Sequence, residues 1–372
     1  MKLSIFSNYF NSHQLPLAEE LSLLLGPGFT FVSLIDTDGA IGRESLDDKY
    51  PYVLKEYDGL ENETRAMEHA LSDDVVVFGD MAGKEEYVRA RAATGKLFFR
   101  YSERLLKRGD WWRFVPFKRY RTWNRFTRYS KVNMYVLCSS SYTASDLALF
   151  GFPNGKCLKW GYFPEVKSDL QDGNEKPGNS FCSVQRLVAL KHVEDQVLAL
   201  QYLNSNGYDM SLCIGGDGPD RVRLERYVDS LGMGNRIRFV GELDRQGVQA
   251  LMRRSQYFMA TSDRREGWGA TVNEAMASEC CVIASNDMGC TDFLIQDGLN
   301  GYSYSGGKEG LIKKLMQVVQ NSGLSAEIGR NGAKTIRGEW SAREAANRLV
   351  RISDSALVGD ITPMVDGPMS LA

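Results

Sequence analysis

Short apolar runs alternate with amphipathic helical patterns along most of the 372 residues, and that rhythm restricts the chain to parallel, doubly wound α/β sheets. LSIF (3–6), FTFVSLI (29–35), DVVVFGD (74–80), KLFFR (96–100) and VNMYVLCSS (132–140) read as buried strands. Between them LPLAEELSLLL (15–25), a stretch near 62–72, KEEYVRARAAT (84–94) and, after the last, TASDLALFG (143–151) read as helices. The run EVKSDLQDGNEKPGNS is polar, acidic and without periodicity, so 165–180 is the predicted linker. It divides a first Rossmann-like domain, 1–164, from a second, 181–339. In the second, SFCSVQRLV (180–188), DMSLCI (209–214), RIRFVG (236–241), Tyr257 to Ala260 and CCVIAS (280–285) repeat the strand pattern.

Composition narrows the class. With 43% hydrophobic and 25% charged residues the chain is an ordinary globular protein, and a net charge of −2 argues against a dedicated nucleic-acid binder. The seven cysteines form no CxxC pair and fall mostly in apolar runs, which fits buried thiols in a reducing compartment. Met1 to Phe6 shows no leader pattern and no apolar stretch is long enough to span a bilayer, so the expected location is the cytoplasm.

Ligands of doubly wound sheets bind at the carboxyl ends of the strands. The loop 7–13 after the first strand is therefore a candidate site, with Asn11 and His13 in it; it lacks GxGxxG, so a dinucleotide cofactor is not expected. His13 equally fits a capping or surface role. Asp36-Thr37-Asp38 has the form of a DxD cation site and also of an acidic turn before Gly39.

Residues 101–131 depart furthest from the average. From Arg104 to Lys131 there are ten Lys or Arg residues, interleaved with Trp111, Trp112, Phe114, Phe117, Tyr120, Trp123, Phe126 and Tyr129. Cations among amphipathic rings suit an anionic membrane surface or a lipid diphosphate; the same pattern would serve a helix that covers the sheet with its rings inward.

In the second half, Arg186 and Lys191 follow the strand at 180–188, where two cations can neutralise a diphosphate. Gly215-Gly216-Asp217-Gly218-Pro219 is a tight turn that brings backbone close to whatever lies over the sheet. TSDRREGWGATVNEAMA (261–277) runs from a strand through a glycine-bearing loop into a helix, with Glu266 in the loop and Glu274 in the first helical turn. Thr271 to Glu274 also has the spacing of a capping box, in which Glu274 would only complete the helix start.

Arg186 with Lys191, GGDGP (215–219), RFVGEL (238–243), EGWGATVNEAMA (266–277), VIASNDMGCTDFL (282–294) and DGLNG (297–301) stand in one order, and in that order 181–337 resembles the donor-binding half of a family 4 retaining glycosyltransferase. YSERL (101–105) and KWGYF (159–163) are similar to stretches of bacterial members that build cell-surface polysaccharides. The resemblance implies a GT-B fold, two Rossmann-like domains facing an interdomain cleft, and a final helix, 340–357, crossing back to the first domain before a loose tail, 358–372. It implies Arg186 and Lys191 on the donor diphosphate, Glu266 facing the donor sugar as the third catalytic residue, and Glu274 on the ribose. Gly267, Trp268, Gly269, Ala270 and Thr271 would add donor contacts through backbone, with Gly216 and Gly241 beside them. Asn11, His13 and Glu103 would face the acceptor. The donor would be a UDP- or GDP-sugar, with no metal and no separate cofactor; the acceptor would be lipid-linked or an oligosaccharide, with 104–131 on the inner face of the plasma membrane. Gln185, where the family usually has glycine, Asp292, where glutamate is common, and a first loop poor in glycine depart from the pattern. A GT-B nucleotide-sugar epimerase and a non-catalytic nucleotide- or RNA-binding protein are the alternatives.

Overall fold

The computed structural model describes residues 1–36, 46–165, 176–359 and 361–372. Thr37, Asp38 and Gly39 of the DxD-like turn, and most of the 165–180 linker, lie outside the described residues. The chain forms two compact units, one of Met1–Glu165 with Trp340–Ala372, the other of Val166–Glu339.

The first unit starts with β1 (Leu3–Ser7), α1 (Leu15–Leu25), β2 (Phe29–Ser33), β3 (Val53–Lys55), α2 (Leu60–Ser72) and β4 (Val75–Phe78). It continues with α3 (Glu86–Ala93), β5 (Phe98–Ser102), α4 (Pro116–Arg125), β6 (Met134–Cys138), α5 (Thr143–Ala148) and β7 (Cys157–Lys159). The second unit holds β8 (Ser180–Val184), α6 (Val193–Ser205), β9 (Ser211–Gly215), α7 (Arg221–Ser230), β10 (Ile237–Gly241) and α8 (Arg245–Arg254). There follow β11 (Tyr257–Ala260), α9 (Ala270–Ala277), β12 (Cys281–Ser285), α10 (Thr291–Leu294), β13 (Tyr302–Tyr304), α11 (Gly307–Gln320) and α12 (Ser325–Arg337), and then α13 (Ala342–Val358).

Among the described residues the strand orders are β3-β2-β1-β4-β5-β6-β7 and β10-β9-β8-β11-β12-β13. Every pairing is parallel, which is why the strands are continuous apolar runs such as the fully buried Val75–Phe78 and Cys281–Ser285. Both orders reverse direction once, at β1/β4 and at β8/β11. Such a switch point sends consecutive loops apart and leaves a crevice at the strands' carboxyl ends.

In the first unit α13 packs along α1, and Trp340 stacks on Phe163. The last residues are not loose. The Lys159 amide donates to the Ser370 carbonyl (2.7 Å), the Met369 amide to the Lys159 carbonyl (2.8 Å) and the Ala372 amide to the Cys157 carbonyl (3.0 Å), so 369–372 runs along β7. An edge strand with open backbone groups recruits any segment that can pair with it, and Met369 and Ser370 are buried there.

Candidate functional site

In the second unit the loops after β8 and β11 are bonded to each other. Thr261 donates through its hydroxyl to the Lys191 carbonyl (2.6 Å), the Asp263 amide donates to the Leu190 carbonyl (3.0 Å), and His192 Nε2 lies 3.1 Å from Asp263 Oδ2. His192 adopts a left-handed conformation, φ 49°, at the start of α6. This bracing brings Lys191 and Glu266 together as an ion pair although 75 residues separate them.

Arg186 lies two residues beyond the end of β8, exposed, on a loop stitched to the next one. The Gln185 amide donates to the Gly215 carbonyl (3.0 Å), the Leu187 amide to the Asp217 carbonyl (2.8 Å) and the Gly216 amide to the Gly241 carbonyl (2.7 Å). Gly216 and Gly241 have φ of 114° and 77°, which a side chain would strain. A Cβ at Gly216 would also meet the Gln185 carbonyl oxygen at 1.9 Å.

α9 begins before Thr271, at Ala270. Gly269, at φ 99°, is its N-cap and no side chain caps it, so the box at 271–274 does not form and Glu274 is the fifth helical residue, not part of the first turn. The Glu274 carboxylate is half-buried and makes no hydrogen bond among the described residues. Burial raises its pKa, and the positive charge of Arg245 only partly opposes this. A carboxylate held back from water without a partner is suited to accept hydroxyl hydrogen bonds from a ligand. Trp268 is 2% exposed, and its indole N–H donates to Asn273 Oδ1 (2.8 Å). Its ring belongs to the core, leaving backbone as its means of touching a ligand.

The first unit carries a cavity of about 760 Å³ at the carboxyl ends of β1, β4 and β5. Asn11 and His13, from the loop after β1, and Glu103, from the end of β5, all line it. Glu103 accepts from Tyr162 (3.0 Å) and pairs with Lys107 (2.7 Å), and the His13 ring stands edge-on to Tyr162 with centroids 6.1 Å apart. Arg121 and Arg125 of α4 reach the same cavity, a contribution that sequence spacing did not reveal.

The 101–131 segment divides its rings. Phe126 and Tyr129 are buried in the sheet's core, whereas Phe117, Tyr120 and Trp123 on α4 are 70%, 64% and 49% exposed. The inward packing weighed from sequence thus holds for the first two rings, and the other three are left open to solvent. Among the described residues no helix is long and apolar enough to cross a membrane, and no group of three or more His, Cys, Asp or Glu is placed to hold a metal ion.

The two parallel sheets define the fold of the GT-B glycosyltransferases. The chain superimposes on Anabaena Alr3699/HepE in complex with UDP and glucose with a TM-score of 0.65, at 14% identity over 96% of this chain and 100% of that one. A glycosyltransferase from Rickettsia africae ESF-5 gives a TM-score of 0.70, at 16% identity over 96% of this chain and 98% of that one. Residues 167–335 match the model of the family described as Glycosyl transferases group 1. Over 139 residues the chain is 30% identical to the lipopolysaccharide core biosynthesis mannosyltransferase LpcC of Rhizobium leguminosarum bv. viciae, covering 37% of this chain and 38% of that protein. The chain spans between 30% and 38% of the length of the first curated relatives it matches.

Proposed function

We propose that the protein is a retaining, metal-independent hexosyltransferase that moves a sugar from a UDP- or GDP-sugar to a lipid-linked or glycan acceptor in cell-surface polysaccharide synthesis. The observation that carries this reading is the pairing of Lys191 with Glu266 at the β8/β11 switch point, with the half-buried Glu274 carboxylate on the helix that follows the same loop. A cation and a carboxylate side by side match a donor's diphosphate and sugar, and Glu274 matches the vicinal hydroxyls of a ribose.

In the step we assign, the bond between the anomeric carbon and the diphosphate oxygen breaks and the electron pair leaves with the nucleotide diphosphate. The acceptor hydroxyl attacks the resulting oxocarbenium-like carbon from the same face, and its proton passes to the departing diphosphate oxygen. Arg186 and Lys191 stabilise the charge that develops on the leaving group, and the Gly269 end of α9 adds unpaired backbone N–H groups. Glu266, released from Lys191 by the diphosphate, orients the sugar. The second unit would hold the donor and the first-unit cavity the acceptor, with the exposed rings and cations of 104–131 resting on an anionic membrane.

A thermal-shift panel of UDP- and GDP-sugars tests the reading. A ligand at one hundred times its Kd stabilises the folded state by about 2.7 kcal/mol. At least one nucleotide sugar should raise the melting temperature, and Arg186→Ala or Glu274→Ala should diminish that rise. Glu266→Ala should keep donor binding and lose turnover. No shift with any nucleotide sugar, or undiminished turnover in Glu266→Ala, would refute the assignment.

A further inference from the structure

His192 stands where a glycine would fit the backbone better. At φ 49° and ψ 46° it begins α6 in the left-handed region, which strains a residue with a Cβ and leaves glycine at ease. The imidazole makes no cap hydrogen bond to α6, so helix capping does not repay that strain. Its ring lies instead between two carboxylates. Nε2 is 3.1 Å from Asp263 Oδ2, on the loop after β11, and Nδ1 is 3.7 Å from Asp195 Oδ2, in the first turn of α6. A carboxylate oxygen only accepts, so Nε2 carries the proton of the shorter contact. Strained backbone persists where its surroundings impose it, and such residues gather at functional sites.

Asp263 is the fixed end of this link. Arg265 grips the same carboxylate through Nε (3.0 Å) and Nη2 (2.6 Å). Burial pulls the Asp263 pKa upward, but hydrogen bonds from Arg265 and His192 outweigh it and hold the carboxyl below its ordinary value. The Asp263 carbonyl accepts from the Glu266 amide (3.0 Å), and Lys191 directly precedes His192. Ring and carboxylate therefore join the backbone segments that carry Lys191 and Glu266, alongside the ion pair of those two residues. In the step assigned above, the donor diphosphate takes Lys191 and opens that ion pair. The loops then depend on the His192–Asp263 contact, together with the bonds from Thr261 and Asp263 to the 190–191 carbonyls, at the moment Glu266 has to hold the sugar.

We propose that His192 is a positioning residue for Glu266: its Nε2–H, bonded to Asp263, keeps the Glu266 loop in place against the start of α6 once the donor has displaced Glu266 from Lys191. The inference rests on the transfer reading and goes beyond it in making turnover depend on a residue that acts through another.

The test compares substitutions at this one position in the full chain. Each variant is melted with and without the panel of UDP- and GDP-sugars, and each is assayed for release of nucleoside diphosphate with water as the acceptor. His192→Gln carries an amide N–H at nearly the reach of Nε2 and should retain most of the turnover. His192→Asn carries one near the place of Nδ1, on the side of Asp195, and His192→Gly carries none while relaxing the backbone. Both should lower kcat by about tenfold or more, with the donor's KM and the donor-induced rise in melting temperature nearly unchanged. A merely structural role would lower stability and donor binding together and would leave His192→Gly at least as good as His192→Gln. Wild-type turnover in His192→Gly, equal turnover in His192→Asn and His192→Gln, or loss of the donor-induced rise along with kcat would each overturn the proposal and leave the transfer reading standing. A wild-type protein that no nucleotide sugar stabilises, or that is stabilised by one it never cleaves, removes the transfer step and this inference together.

Discussion

Gly216→Ala isolates how much the 185–187 loop depends on one missing methyl group. At φ 114° an L-residue bears a conformational cost of about 1–2 kcal/mol. Gly207, at φ 87° with nothing within 4 Å of where its Cβ would stand, bears the same kind of cost and no steric one. Gly207→Ala is therefore the reference. At residue 216 the new Cβ falls 1.9 Å from the Gln185 carbonyl oxygen, where ordinary carbon–oxygen contact is about 3.3 Å. The 185–187 loop has to retreat by roughly 1.4 Å, at the expense of the Gln185–Gly215 and Gly216–Gly241 hydrogen bonds. Each buried group left unpaired costs about 1–3 kcal/mol, so with two of them and the conformational cost the total is about 3–8 kcal/mol. That is a fall in melting temperature of roughly 6–32 °C, against about 2–8 °C for Gly207→Ala. A displacement of about 1 Å at Arg186 should also lower transfer about 100-fold. Differential scanning calorimetry on both variants, with and without a bound nucleotide sugar, decides the matter. Equal melting points for the two variants, with donor stabilisation intact in Gly216→Ala, would show that the loop is not built as described.

Two further outcomes are expected. Glu274 has a folded pKa above its unfolded one, so its ionisation opposes folding and the penalty grows as pH rises through the glutamate range. Glu274→Gln should raise the melting temperature at neutral pH, with the gain fading below about pH 4, while nucleotide-sugar binding weakens; a gain independent of pH, or none at pH 7, contradicts this. Replacing Phe117, Tyr120 and Trp123 together with serine should leave the melting temperature nearly unchanged, because the rings are exposed, and should reduce co-sedimentation with anionic vesicles; undiminished co-sedimentation excludes the membrane role.

The alternation of strands and helices was legible because parallel strands buried on both faces have to be apolar runs, as Val75–Phe78 shows. The edge strand Val53–Lys55 was not, having three residues and one buried side chain. No element was read between DGLNGYSY and residue 340, although Leu311, Leu315 and Val318 carry the helical period that α11 buries. The capping-box spacing at 271–274 misled because Gly269, free to take φ 99°, starts α9 earlier than Thr271 would. The sequence offered Arg186, Lys191, Glu266 and Glu274 as candidates by residue type, but not that Lys191 and Glu266 pair across 75 positions. Such partnerships depend on which strands become neighbours, and the β8/β11 adjacency is set by the whole sheet.

The first unit is assembled from two separated lengths of chain, and the final residues complete the sheet edge at β7. During synthesis the intervening unit can therefore finish folding while its predecessor still awaits α13 and the strand-like terminus. A fragment stopped at residue 165 would expose the faces of α1 and β7 that those segments cover.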